Sequence, residues 1–289
     1  MADYFRPHVL DEALALKATR DLTVLAGGTD VFPARATRAA WGDVADPDIL
    51  DISAIASLRG IEKQEEGYRI GALATWSDID DSDLPPAFDV LRQVSRVIGG
   101  RQIQNRGTVV GNICNASPAA DGTPALQALN ASVELTSTEG VRVLPLDDFH
   151  DGYRSTCSAP GELVTAILIP ELPGNARSLF LKLGARRYLV ISIAMTAGVL
   201  VPGENGTVAD IRLSLGACSA VARRLRRLED DLRGRTIDAE LSAVVAGEHL
   251  EGIEPIGDMR ASADYRLNAA LVLVRDLVAG LAGGNAGEV

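Results

Sequence analysis

The sequence predicts an α+β protein, and three observations carry that expectation. Long strand candidates follow one another between residues 178 and 217, and helical segments come after them rather than between them. No G-x-G-x-x-G follows a strand candidate, which argues against a doubly wound Rossmann unit. The 289 residues are 47% hydrophobic and 23% charged, enough to bury sizeable cores in about two domains.

The elements read in order as follows. Residues 11–20 are rich in helix formers behind an acidic start and read as a short helix. Leu22 to Ala26 is a brief apolar run closed by Gly27-Gly28, a strand entering a turn. Residues 48–53 alternate as a strand does, and Tyr68 to Ala72 is another strand candidate. From Pro85 to Ile98 the apolar residues share one helical face, bounded by Pro85-Pro86 and Gly99-Gly100. Thr123 to Leu129 is a short helix, 132–136 and 141–144 form a hairpin, and Leu163 to Ile169 is a buried strand stopped by Pro170. Glu171 to Asn175 marks a domain boundary. Strands over 178–184, 191–201 and 207–217 follow, then helices over 220–233, 236–247 and 262–281. The tail from Gly283 to Val289 reads as a frayed end.

Composition narrows the function. The formal net charge is −11 and the isoelectric point about 4.8, a poor balance for a nucleic-acid binder. The one basic run, Arg223-Arg224-Leu225-Arg226-Arg227, meets Glu229, Asp230 and Asp231 at helical spacing and reads as a solvated helix face. The N-terminus lacks the pattern of a signal peptide, and no run is long and apolar enough to span a membrane. A cytoplasmic location is therefore expected. Cys114, Cys157 and Cys218 lie far apart without CxxC spacing, so no iron–sulfur cluster and no disulfide framework is expected. His8, His150 and His249 are isolated, and no metal site or catalytic residue is assigned. P-loop and nucleophile-elbow motifs are absent as well.

Two glycine-rich segments carry the chemistry. A phosphate is best held by outward-pointing backbone N–H groups, and glycine both reaches the conformations this needs and omits the Cβ that would block approach. Ala26-Gly27-Gly28-Thr29-Asp30 has that make-up, although Gly-Gly after a strand also serves as a plain turn. Arg106 to Asp121 is richer, with glycines, hydroxyls, amides and an acid that suit pyrophosphate, ribityl and ribose hydroxyls; its bland alternative is a polar turn region punctuated by Ser117-Pro118.

Leu25 to Asp30, Gln102 to Asn112 and Ala116 to Asp121, followed by Glu162 to Pro170, Phe180 to Arg186 and Asp258 to Arg266, resemble the FAD-binding medium subunit of the molybdenum hydroxylases. That group includes xanthine dehydrogenase and aerobic carbon monoxide dehydrogenase. The stretches stand in the family's order and span nearly the whole chain. The resemblance implies a two-part FAD domain of the UDP-N-acetylmuramate dehydrogenase and vanillyl-alcohol oxidase type over residues 1–173, split near 54. A C-terminal domain with a three-stranded antiparallel sheet and helices follows over 174–289. By the same resemblance, Ala26, Gly27, Gly28, Thr29, Asp30, Thr108, Gly111, Asn112, Ser117 and Asp121 line the diphosphate and sugar parts of FAD. Leu163 and Val164 give backbone and apolar contacts nearer the flavin or adenine, with plain core as their alternative. Lys182 matches a lysine that reaches the cofactor in some relatives, with a solvated strand lysine as its alternative. Two departures are visible. Thr29-Asp30 stands where many relatives carry x-Ser, which places an acid near the flavin ring, and the four-cysteine insert of one branch is missing.

In such enzymes a large subunit hydroxylates substrate at molybdopterin, a small subunit carries [2Fe–2S] clusters, and the medium subunit passes electrons to an external acceptor. The resemblance therefore implies the electron-exit subunit of an oxidoreductase, in a dimer of heterotrimers. The substrate pocket lies on another polypeptide; N-heterocycles, purines, aldehydes and carbon monoxide stay open, with an N-heterocycle such as a purine preferred. The acceptor is open too. Alternatives are a self-contained FAD oxidoreductase on this fold and an assembly protein that has lost FAD.

Overall fold

A computed structural model describes residues 2–43 and 47–283. The chain begins as a β-α-β-α-β unit. Strands Tyr4–Phe5, Thr23–Leu25 and Ile49–Asp51 form a parallel sheet with Ile49–Asp51 in the middle, and helices Leu10–Thr19 and Val31–Ala40 make the crossovers. Parallel neighbours require such crossovers. The first helix and the two longer strands match the sequence reading. The helix Val31–Ala40 does not appear in it, and none of its residues is buried. Its Pro33 falls in the first turn, where a missing N–H does no harm.

The second layer is a five-stranded antiparallel sheet. Its order is Ile61–Gln64, Gly67–Gly71, Leu163–Pro170, Ser132–Ser137 and Gly140–Pro145. The apolar strand Leu163–Pro170 sits at the centre, with Ile167 opposite both Ile70 and Val133. Helices Trp76–Asp80, Asp89–Val97, Val109–Cys114 and Gly122–Ala128 lie between its strands in the chain. One core collects Leu50, Ile70, Trp76, Phe88, Ile113, Leu126 and Phe149, all shut off from solvent.

Between Pro170 and Arg177 the chain passes to a second antiparallel sheet. Arg177–Leu183, Ala194–Pro202 and Val208–Gly216 are its long strands, backed by the helix Ala263–Gly283 and a core of their own. Four expectations are corrected here. The sheet has a fourth strand, the two residues Arg223–Arg224, paired with Ser214 and Leu215. The expected helix 220–233 is therefore cut to Arg226–Leu232. The expected helix 236–247 is replaced by 3-10 turns at Leu241–Val244 and Gly247–Leu250, because Thr236 bridges Thr207 and Ile237 donates to the Gly206 carbonyl. The strand expected from residue 191 starts at Ala194.

The basic run is likewise not one solvated face. The Arg224 side chain is buried and grips Glu229 at 2.7 Å, and Glu229 also accepts from the Leu213 amide at 2.8 Å. Gly283 closes the last helix, and the rest of the expected frayed tail lies outside the described residues. Among the described residues no helix is long and apolar enough to cross a membrane.

Candidate functional site

The two glycine segments cross each other. A Cβ on Gly27 would stand 1.9 Å from the Arg106 carbonyl oxygen, so the backbones touch where glycine alone fits. Gly28 turns the chain at φ +78°, a left-handed conformation, and a Cβ there would strike the Phe32 ring. The second segment is pinned from below: the Trp76 amide donates to the Gly107 carbonyl at 3.1 Å, and the Val109 amide to the Ala74 carbonyl at 3.0 Å. Thr108 then caps the six-residue helix Val109–Cys114, its hydroxyl accepting from the Gly111 amide at 3.0 Å. The segment thus opens a short helix at Thr108, and around Ser117-Pro118 it is a turn, as its bland alternative has it. Among the described residues, the amides of Gly27, Gly28, Thr29, Asp30 and Val110 meet no protein acceptor. Backbone donors left open on residues that line one cleft are suited to an anion.

These amides border a cleft of about 430 Å³, within the usual range for a bound cofactor. It gathers Ala26, Gly27, Gly28, Thr29, Asp30, Thr108, Gly111, Asn112, Leu163 and Val164 from far-apart stretches of the chain. Asn112 is held in place by the Gly122 amide, which donates to its Oδ1 at 3.1 Å. Ile52, Trp76, Ile98, Ile103 and Val110 add apolar wall, and Lys17 adds a cation. The sequence reading missed these residues because each looks like ordinary core or surface until the chain folds. Diphosphate oxygens suit the open amides, sugar hydroxyls suit Thr29, Thr108 and Asn112, and flat rings suit the apolar wall; the residues present therefore fit FAD.

Three expected site residues lie apart from this cleft. Asp121 and Lys182 form an ion pair of 2.6 Å, both nearly buried, and Ser192 donates its hydroxyl to the other carboxylate oxygen. Asp121 is thus committed to protein partners rather than left open as a sugar acceptor. Burial pushes its carboxyl up against the opposing pull of Lys182 and Ser192. Ser117 closes its own turn by accepting from the Ala119 amide at 3.3 Å.

The acids at the rim differ in character. Desolvation raises the Asp30 carboxyl above its ordinary value, outweighing Arg154 and the Thr29 hydroxyl. Glu162 is held well below the usual range by a two-pronged bond from Arg142 at 2.6 and 2.8 Å, against a smaller penalty from burial. Among the described residues, one group of His and carboxylates comes close enough together to suggest a metal: Asp231, Glu248 and His249. Both imidazole nitrogens are already used there. Nδ1 accepts from the Ala246 amide, so Nε2 carries the proton and donates to Asp231 at 3.0 Å.

The family model for the FAD binding domain in molybdopterin dehydrogenase matches residues 1–172. The model for the CO dehydrogenase flavoprotein C-terminal domain matches residues 180–281. The chain is 32% identical to the glyceraldehyde dehydrogenase medium chain of Sulfolobus acidocaldarius over 275 residues, which cover 93% of this chain and 94% of that one. It is 31% identical to the carbon monoxide dehydrogenase medium chain of Afipia carboxidovorans over 282 residues, with 96% and 95% covered. In three dimensions it is similar to a chain of cyanide-inactivated Cu,Mo-CO dehydrogenase. The TM-score is 0.90 and the identity 31%, with 98% of each chain covered.

Proposed function

This chain belongs to the FAD-binding medium-subunit family of the molybdenum hydroxylases, and on that premise we propose that it is the electron-exit subunit of such an enzyme. It takes electrons from [2Fe–2S] clusters on a small partner subunit and passes them to an external acceptor. Hydroxylation of substrate belongs to a large molybdopterin-binding subunit. The assembly is a dimer of heterotrimers in the cytoplasm, and residues 1–173 are the part of this chain that holds the cofactor.

The observation that carries the reading is the crossing of the two glycine segments, with open amides on residues that line one cleft. FAD, when bound, supplies a carrier that exchanges electrons singly or in pairs. The chain's own residues have three tasks. The amides of 27–30 and Val110 hold the diphosphate, with Lys17 adding positive charge nearby. Asn112, fixed by Gly122, orients a sugar hydroxyl. Ile52, Ile103, Leu163 and Val164 keep water from the planar rings. Among the described residues no histidine lines the cleft, and outer-sphere electron transfer asks for no proton-transfer side chain.

The test is to purify the chain with its native companions, record the visible spectrum and identify the other polypeptides. Flavin absorbance, a molybdopterin subunit and a small cysteine-rich subunit are expected. A chain that carries no flavin and refuses added FAD would sink the reading.

A further inference from the structure

Three segments supply most of the cleft wall. They are the loop 26–30, the segment 107–115, and the stretch 156–164 that leaves the hairpin of strands His150–Gly152 and Ser155–Thr156. At the rim, one side chain from each wall or its hairpin joins a chain of hydrogen bonds. Asn115 donates through Nδ2 to Asp30 Oδ1 at 2.8 Å. Its Oδ1 accepts from Arg154 Nη1 at 2.9 Å. The amide is thus oriented from both ends, by a carboxylate that only accepts and a guanidinium that only donates. No other arrangement of these three groups uses both ends of the amide so well.

The backbone supports the same connection. The Arg154 amide donates to the Ala116 carbonyl at 3.0 Å. Arg154 at φ +52° and Ala116 at φ +46° both lie in the left-handed region, which a residue with a Cβ enters only where its surroundings hold it there. Thr156 and Ser158, which line the cleft, follow directly on this turn. Any movement of the hairpin would therefore carry part of the cleft wall with it. Asp30 is itself in the phosphate-holding loop, so the chain of bonds ties the hairpin to the segment that grips the cofactor.

We propose that Asp30, Asn115 and Arg154 form a latch that fastens the hairpin 150–156 across the rim of the FAD cleft and slows the departure of FAD. The proposal rests on the reading of this cleft as the FAD site. The three are positioning residues: they act on the cofactor through the walls they join.

The test follows FAD release from the full-length, FAD-loaded chain after large dilution into flavin-free buffer, read by the rise in flavin fluorescence. Arg154→Met and Asn115→Ala should each speed release roughly fivefold, the scale of one charge-assisted bond at a partly exposed site. The double variant should release no faster than either single one, because each change already opens the same latch. Arg154→Lys, which keeps a donor, should recover part of the slow release. Association rates and thermal melting should stay near wild type. If Arg154→Met fails to fold, Asn115→Ala reads the same connection from its centre. Release at the wild-type rate in a folded variant, or effects that multiply in the double variant, would overturn the latch. A wild-type chain that takes up no FAD would instead overturn the site reading beneath it.

Discussion

Replacing Gly27 by alanine forces the two glycine segments apart. The new methyl would lie 1.9 Å from the Arg106 carbonyl oxygen and 2.7 Å from its carbon. Contacts below 3.0 Å are not sustained, so the segments must separate by about 1.1 Å, the difference between 3.0 and 1.9. Neither partner can swing aside, since both are backbone. Gly107, the next residue, is held by Trp76 on one side and Ile103 on the other. Overpacking of this kind costs about 1–3 kcal/mol, and an unyielding backbone contact falls at the upper end. At about 1.4 kcal/mol per factor of ten, FAD affinity should drop roughly 100-fold. Gly111→Ala is the control. Its Cβ would meet only the Thr108 hydroxyl, at 2.7 Å, and that side chain can rotate. The loss of its cap is worth about 1 kcal/mol, partly offset by the helix preference of alanine. Titration of FAD by quenching of its fluorescence, with circular dichroism to show folding, measures both. A folded Gly27→Ala chain with wild-type affinity refutes the reasoning, and so does a Gly111→Ala chain that is the weaker binder.

Two further outcomes concern stability. Arg224→Met leaves Glu229 buried without its main partner, and urea unfolding should show a loss of about 3 kcal/mol, with Arg226 and Arg233 near 3.9 and 3.8 Å softening it; a loss below about 1 kcal/mol would show the pair to be dispensable. Burial pushes the Glu134 carboxyl up, but the Arg69 and Thr165 bonds together bring it below its ordinary 4.5. Its contribution is therefore full above pH 4.5 and lost as pH falls through the lower folded value; Glu134→Gln should flatten the acid side of the stability curve, and an unchanged slope would exclude this pair as a source.

What the sequence revealed and what it hid follow from range. The strand Leu163–Pro170 and the last helix announce themselves by local periodicity or an unbroken apolar run. The glycine segments are legible because their residue types are costly anywhere but at a turn or a close approach. The strand Arg223–Arg224 is two residues long and exists only because Ser214 and Leu215 offer it an edge, which no local window contains. The Asp121–Lys182–Ser192 cluster joins residues 61 and 71 positions apart, and each side chain alone looks like a solvated polar group. The apolar wall of the cleft is hidden for another reason. Trp76 and Ile52 are buried by the same rule that fills any core, and nothing in their type marks the side left open for a ligand.

Asp121 changes what the boundary near Pro173 means. Its partners Lys182 and Ser192 come from beyond that point, and its neighbour Gly122 positions Asn112 in the cleft. Further along the same helix, Gln127 accepts from the Ser214 hydroxyl at 2.6 Å and donates to the Ala222 carbonyl at 3.2 Å. The core beneath the cleft also takes in Met195, Ala197, Val199 and Ala217. A chain cut after Pro173 would keep every residue of the cleft lining yet lose these contacts. It would strip six buried apolar side chains, Ala176 and Phe180 together with those four, from that core, and leave the Asp121 carboxylate and the Gln127 amide without partners, each worth about 1–3 kcal/mol when stranded. Against a total stability of about 5–15 kcal/mol this is decisive. The fragment 1–173 should be poorly soluble or molten and should hold no FAD, by circular dichroism and fluorescence quenching. A fragment that melts cooperatively and binds FAD as the full chain does would show that the cleft is autonomous, and that the C-terminal sheet serves only its partners.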